Sequence, residues 1–143
     1  MRVVFDTVVF VRGLINPFSV WGRLVFDCSA DYLLIVSTPV LIEYLEVIQR
    51  PELTRKYRSV ATRDPRAILD RLATAEVVQI ADIPAVSRDP KDDPILATAL
   101  AGSANFIVSE DRDLLDLDSH DGIPIVTARS FLNVIEAADR AED

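Results

Sequence analysis

Five short runs rich in valine and isoleucine, at 3–5, 33–36, 77–80, 106–108 and 123–126, punctuate the chain, and the longer stretches between them repeat their apolar residues at helical spacing. A strand that reads as a continuous apolar run is buried on both faces, which in a parallel sheet means helices above and below it. The alternation therefore predicts an α/β fold with a largely parallel central sheet and helices on both faces. Helices are expected at about 18–30, 39–50, 52–58, 64–75, 93–102 and 129–139. Thr38-Pro39 supplies a capping hydroxyl and a proline whose missing donor costs nothing in a first turn. Arg50-Pro51 ends that helix, and Gly102 stops the one that begins near Asp93.

With 143 residues, 50% of them hydrophobic, the chain can bury an ordinary core, and no repeat or linker divides it, so one domain over 1–143 is expected. It opens directly on Val3-Val4-Phe5 without a basic leader, and no apolar run approaches the roughly 20 residues of a membrane helix. A soluble, cytoplasmic protein is expected, and the single cysteine, Cys28, fits a reducing compartment. Cys28 lacks a base beside it and reads as a small hydrophobe rather than a nucleophile.

The net charge of -8 is unevenly spread. Residues 50–71 carry Arg50, Arg55, Lys56, Arg58, Arg63, Arg66 and Arg71 against Glu52, Asp64 and Asp70, a balance of +4, whereas 82–121 carry ten acids against three bases, a balance of -7. The basic segment is either a solvated helix surface or a rim that contacts a phosphate backbone beside an acidic pocket.

Carboxylates stand where the strands run out. Asp6 ends the first run and Asp111 follows the fourth, at the sheet edge where parallel α/β proteins bind ligands. On the helix after the second run, Leu41, Leu45 and Ile48 are expected at the centre of the buried face, which leaves Glu43 on its border and Glu46 in water. Asp92 and Asp93 are ambiguous. Pro94 suits a first helical turn and makes Asp93 a natural cap, so Asp92 is the preferred ligand of the pair. Asp113 either binds through water or caps a short turn at Leu114-Leu115. Asp116, Asp118, Asp121 and His120 read as exposed loop residues.

Two unit charges about 4 Å apart repel by roughly 4 kcal/mol at an effective dielectric near 20. A cluster of such pairs must be partly protonated or neutralised by a cation. Oxygen ligands without His or Cys point to Mg²⁺ or Mn²⁺, with positions left for phosphate oxygens and water, the apparatus of phosphodiester hydrolysis.

In order and spacing, five segments resemble the PIN-domain family, the nucleases that supply the toxins of many toxin-antitoxin pairs. They are Val3-Val4-Phe5-Asp6-Thr7 with Val11-Arg12-Gly13-Leu14; Glu43-Tyr44-Leu45-Glu46-Val47-Ile48 with Arg50-Pro51; Asp89 through Ala99; Val108 through Leu115; and Gly122 through Thr127. The resemblance implies a metal-dependent endoribonuclease with Asp6, Glu43, Asp92 and Asp111 as its acidic quartet and Asp113 as an accessory acid. It further implies a homodimer or higher oligomer, an RNA substrate and a cognate antitoxin. One position departs: the family usually has asparagine where this chain has Val8, an amide that could orient groups near the metal. That leaves a PIN-like binding protein with weakened chemistry as an alternative. A phosphoacceptor module is a further alternative, but it needs a second acid after the first strand and a late lysine, and no lysine follows Lys91. A phosphatase of the Asp-x-Asp type lacks an acid at position 8.

Overall fold

The structure, a computed structural model, describes residues 1–52, 65–80 and 90–142. Its strands are β1 (Arg2–Phe5), β2 (Leu33–Val36), β3 (Glu76–Val77), β4 (Phe106–Val108), β5 (Ser119–His120) and β6 (Ile123–Val126). The described helices are α1 (Thr7–Ile15), α2 (Val20–Gly22), α3 (Thr38–Ile48), α4 (Pro65–Ala73), α5 (Asp93–Ala101), α6 (Arg112–Leu115) and α7 (Ala128–Glu142).

The strands form one sheet in the order β3-β2-β1-β4-β6-β5, parallel throughout except where the β5 edge runs antiparallel to β6. Chain order reverses between β1 and its two neighbours, β2 and β4, so the crevice beyond their carboxyl ends is the topological switch point of the sheet. β1 and β4 are in register from Val3↔Phe106 to Phe5↔Val108. The Asp6 amide extends that pairing by donating to the Val108 carbonyl at 2.9 Å. Val3, Val4 and Phe5 are consecutive and fully buried. Successive strand residues point to opposite faces, so both faces of β1 are covered.

The α/β architecture matches the expectation, and local departures have physical causes. α1 was not anticipated, because Val8-Val9-Phe10-Val11 is a β-branched and aromatic run with weak helix propensity. Burial overrides propensity there: Val9, Phe10 and Leu14 are fully buried, and Phe10 stacks on Tyr44 with centroids 4.5 Å apart. The helix expected at 18–30 is broken into α2, a π-helical turn over Arg23–Asp27 and a 3₁₀ turn over Ser29–Asp31. Gly22 is needed in this segment, since a Cβ there would lie 2.3 Å from the Pro17 carbonyl oxygen.

On α3 the buried face centres on Val40 and Tyr44, whereas Leu45 is 44% exposed, contrary to the expected phase. At about 100° per residue Leu45 falls about 100° from Tyr44, outside the stripe that packs against α1 and α5. Ser37 rather than Thr38 holds the N-cap position of α3, and its buried hydroxyl meets Thr98 Oγ1 at 2.7 Å instead of capping the helix. Gly102 does end α5, where a Cβ would stand 2.5 Å from Ile35 Cγ2. The expected strand at 77–80 is shorter, Glu76–Val77, although the Val78 amide still reaches the Val36 carbonyl.

His120 is half-buried in β5 rather than exposed, 3.7 Å from Asp121. The turn formed by Asp121 and Gly122, both at positive φ, folds it back onto β6. The helix expected at 52–58 falls almost wholly outside the described residues, as do Arg55, Lys56, Arg58 and Arg63. Arg71 is described and does not form part of a phosphate-facing rim. It is buried, donates from Nε to the Val25 carbonyl and from Nη2 to the Tyr32 hydroxyl, and stacks over the Tyr32 ring. Among the described residues no single helix is long and apolar enough to cross a membrane.

Candidate active site

The switch point gathers acids from several elements. Asp6 leaves β1 at the N-cap position of α1, where its carbonyl accepts from the Val9 and Phe10 amides, so its backbone is held by strand and helix at once. Its side chain is only 6% exposed. Ser109 donates to Asp6 Oδ2 at 2.9 Å, and the same Ser109 Oγ accepts the Asp111 amide at 2.9 Å. Ser109 thus joins the carboxylate that follows β1 to the one that follows β4.

Asp111 in turn caps α6, its Oδ1 accepting the Asp113 amide at 2.9 Å. The capping role considered for Asp113 therefore belongs to Asp111, and Asp113 occupies the first turn. Carboxylate oxygens of Asp92, Asp111 and Asp113 all lie within 4.8 Å of one another. Oxygen ligands of one octahedral Mg²⁺ stand roughly 3–4 Å apart, so three acids at this separation, with no sulfur or imidazole, fit a hard divalent cation.

Burial, aided by the charges of Asp111 and Glu43, raises the Asp6 carboxyl to about 6 against the opposing hydrogen bonds from Ser109 and the Thr7 amide. Glu43 is half-buried on α3, and its charge is also felt at the buried Tyr44. Tyr44 donates its hydroxyl to the carbonyl of Phe5, the residue before Asp6. Burial first, then the charges of Asp6 and Glu43, hold the Tyr44 hydroxyl well above its ordinary range, so it stays a donor.

Asp92 and Asp93 are both buried, and the cap expected at Asp93 is absent: a 3₁₀ turn over Pro90–Asp92 brings the chain in already helical, and Asp93 is the first residue of α5. Asp92 occupies the N-cap position without a side-chain capping bond and faces Asp111 and Asp113. Glu46 is exposed, as are Asp116, Asp118 and Asp121. Glu110, although beside Asp111, is committed elsewhere, accepting from Trp21 Nε1 at 3.2 Å and from the Ala128 amide at 2.9 Å. Burial pushes the half-buried Cys28 thiol up, which suits a packed residue rather than a nucleophile.

Sequence reasoning missed Ser109 and Tyr44 as parts of this site. Ser109 sits between an apolar strand and an acid with nothing in its spacing to single it out. Only the β1–β4 register shows that its hydroxyl lies between two carboxylates. Tyr44 is one more aromatic residue among the apolar positions of its helix, and its hydroxyl bond to Phe5 gives it a second task.

No curated protein matches the chain. Among solved structures the fold is similar to a chain in the crystal structure of VapBC2 from Rickettsia felis bound to a DNA fragment from their promoter, with a TM-score of 0.55 and 13% identity. The similarity covers 87% of this chain and 97% of that one, and at such identity it speaks to fold alone. A family model described as the PIN domain matches residues 2–113, which include Asp6, Glu43, Asp92, Asp111 and Asp113. On that match, and with its acids gathered at the switch point of a parallel sheet, the chain belongs to the PIN-domain family.

Proposed function

We propose that the protein is a metal-dependent endoribonuclease and the toxin of a toxin-antitoxin pair. The observation that carries this reading is the convergence of Asp92, Asp111 and Asp113 within 4.8 Å, with the desolvated Asp6 joined to Asp111 through Ser109. Asp6, Asp92, Asp111 and Asp113 would hold Mg²⁺ or Mn²⁺. When bound, such a cation neutralises phosphate charge and acidifies water, the chemistry that phosphodiester hydrolysis requires.

The chain's own residues divide the remaining work. Ser109 keeps Asp6 Oδ2 engaged and so orients the carboxylate, and Tyr44 fixes the Phe5 carbonyl just before it. Glu43 is half-buried at the border of the cleft and outside the cluster of three, which leaves it to accept the proton of an attacking water. The water oxygen bonds to phosphorus, the opposite P–O ester bond breaks, and the leaving oxygen takes up a proton.

The partner assignment is supported by the family match, and the similarity in fold to VapBC2, crystallised bound to a DNA fragment from its promoter, is in keeping with it. Action in the cytoplasm and a homodimeric state belong to the same proposal. The test is cleavage of single-stranded RNA by wild-type protein with Mn²⁺, with EDTA, and in the Asp92→Asn and Asp111→Asn variants. Cleavage should require both metal and both acids. RNA left intact by wild type across metals would refute the proposal.

A further inference from the structure

An acidic pocket repels the polyanion it is meant to cut, so a nuclease of net charge -8 needs cations beside the pocket to hold its substrate. Among the described residues several arginines are already committed: Arg2 pairs with Glu76, Arg23 pairs with Glu136, and Arg71 is buried. Arg12 differs. It is exposed, makes no side-chain hydrogen bond or ion pair with another described residue, and its guanidinium lies 4.9 Å from the centroid of the Trp21 ring.

The indole is fixed in its turn. Trp21 Nε1 donates to Glu110 Oε1, which also accepts the first amide of α7, and Glu110 directly precedes Asp111. The close approach of α1 to the segment after it, which seats Arg12 on the ring, depends on Gly13, where a Cβ would lie 2.6 Å from Val25 Cγ2 and 2.9 Å from the Trp21 carbonyl.

Arg12 also belongs to the helix that starts at the site. Asp6 holds the N-cap position of α1, and Arg12 lies six residues on, about 9 Å along the axis at 1.5 Å per residue. Val8 and Arg12 are exposed at i and i+4, so one surface strip of α1 runs from beside Asp6 to the guanidinium. A cation near the end of α1 also suits the helix dipole. The dipole accounts for its charge but not for its seat on a tethered indole, which leaves the planar donors ordered and turned to solvent.

We propose that Arg12, seated on Trp21, is a substrate-binding residue that contacts a backbone phosphate of single-stranded RNA as it leaves the acid cluster along α1. The assignment rests on the ribonuclease reading of that cluster. Loss of one phosphate contact on a single strand reduces the slope of log affinity against log salt by about 0.7, which amounts to about fivefold in affinity at 0.1 M salt.

The experiment titrates a short labelled oligouridine into wild type, Arg12→Ala and Arg12→Gln in EDTA, where the RNA stays intact, over a range of salt. Anisotropy of the RNA is followed together with emission from Trp21, the only tryptophan. Arg12→Gln keeps a polar side chain of similar reach, so a loss of helix stability in the alanine variant does not decide the result. Wild type should bind with a change in Trp21 emission, and both variants should bind about fivefold more weakly with the smaller slope, while Mn²⁺ raises the melting temperature of all three proteins equally. Wild-type binding with an unchanged slope in both variants, or with no change in Trp21 emission, overturns the Arg12 assignment alone. A wild-type protein that fails to bind the RNA even at low salt overturns the ribonuclease reading, and this assignment with it.

Discussion

Replacing Asp6 with asparagine should stabilise the metal-free protein at neutral pH. Burial, aided by Asp111 and Glu43, lifts the Asp6 carboxyl from 3.8 to about 6, so the folded state holds this proton more tightly than the unfolded chain. The stability associated with the raised pKa is fully present below 3.8 and is lost as pH rises through about 6. A shift of about two units corresponds to about 3 kcal/mol at 1.36 kcal/mol per unit. Asparagine carries no charge to desolvate, and its amide oxygen can still accept from Ser109. Placing the NH₂ group in the space of Oδ1 costs about 1 kcal/mol of this, which leaves a net gain of about 2 kcal/mol. Urea unfolding in EDTA from pH 4 to pH 8 measures it directly. Wild type should lose stability relative to Asp6→Asn between pH 4 and pH 7, with no further divergence above. Saturating Mn²⁺ should then reverse the order, since a ligand at about 100 times its dissociation constant adds about 2.7 kcal/mol to the protein that binds it. A stability difference independent of pH would refute the reasoning, because it would mean that the charge at Asp6 is not what the fold pays to keep.

Three further outcomes follow from particular contacts. Asp92→Asn should abolish the rise in melting temperature caused by Mn²⁺, and Asp93→Asn should retain most of it, because Asp92 and not Asp93 shares the 4.8 Å cluster; differential scanning fluorimetry decides. Gly22→Ala should destabilise by about 1–3 kcal/mol in denaturant unfolding, since its Cβ would meet Pro17 backbone atoms at 2.3–2.5 Å and main chain yields less easily than a side chain. Val8→Asn should leave stability within about 0.5 kcal/mol, as Val8 is 41% exposed, and should raise Mn²⁺-dependent single-turnover cleavage about tenfold if an amide there orients the acids.

Much of the architecture was legible because it follows from burial alone. A fully buried parallel strand needs an unbroken apolar run, and the runs at Val3-Val4-Phe5 and Phe106-Ile107-Val108 are the strands that flank the crevice. Asp6 and Asp111 could be singled out in advance because a residue just past a strand is placed by the strand. What was hidden depends on partners distant in sequence. α1 forms against its own propensity because Phe10 finds Tyr44, and the phase of α3 is set by the helices it packs against, α1 and α5, rather than by its list of apolar residues. The link from Ser109 to both Asp6 and Asp111 exists only through strand register. The cap at the start of α5 was misjudged because an aspartate before a proline carries the same local signal whether the chain enters extended or, as here, through a 3₁₀ turn. Arg71 shows the converse for charge: a basic residue in a basic segment reads as surface until the Val25 carbonyl and the Tyr32 hydroxyl are seen to take its donors.

An anomalous difference map from crystals grown with Mn²⁺ tests most directly whether acids from separate elements share one cation site. A peak is expected at bonding distance from carboxylate oxygens of Asp92, Asp111 and Asp113, on the side of the crevice that Asp6 borders. A crevice without a peak at saturating Mn²⁺, or a peak held by acids outside this group, would contradict this expectation.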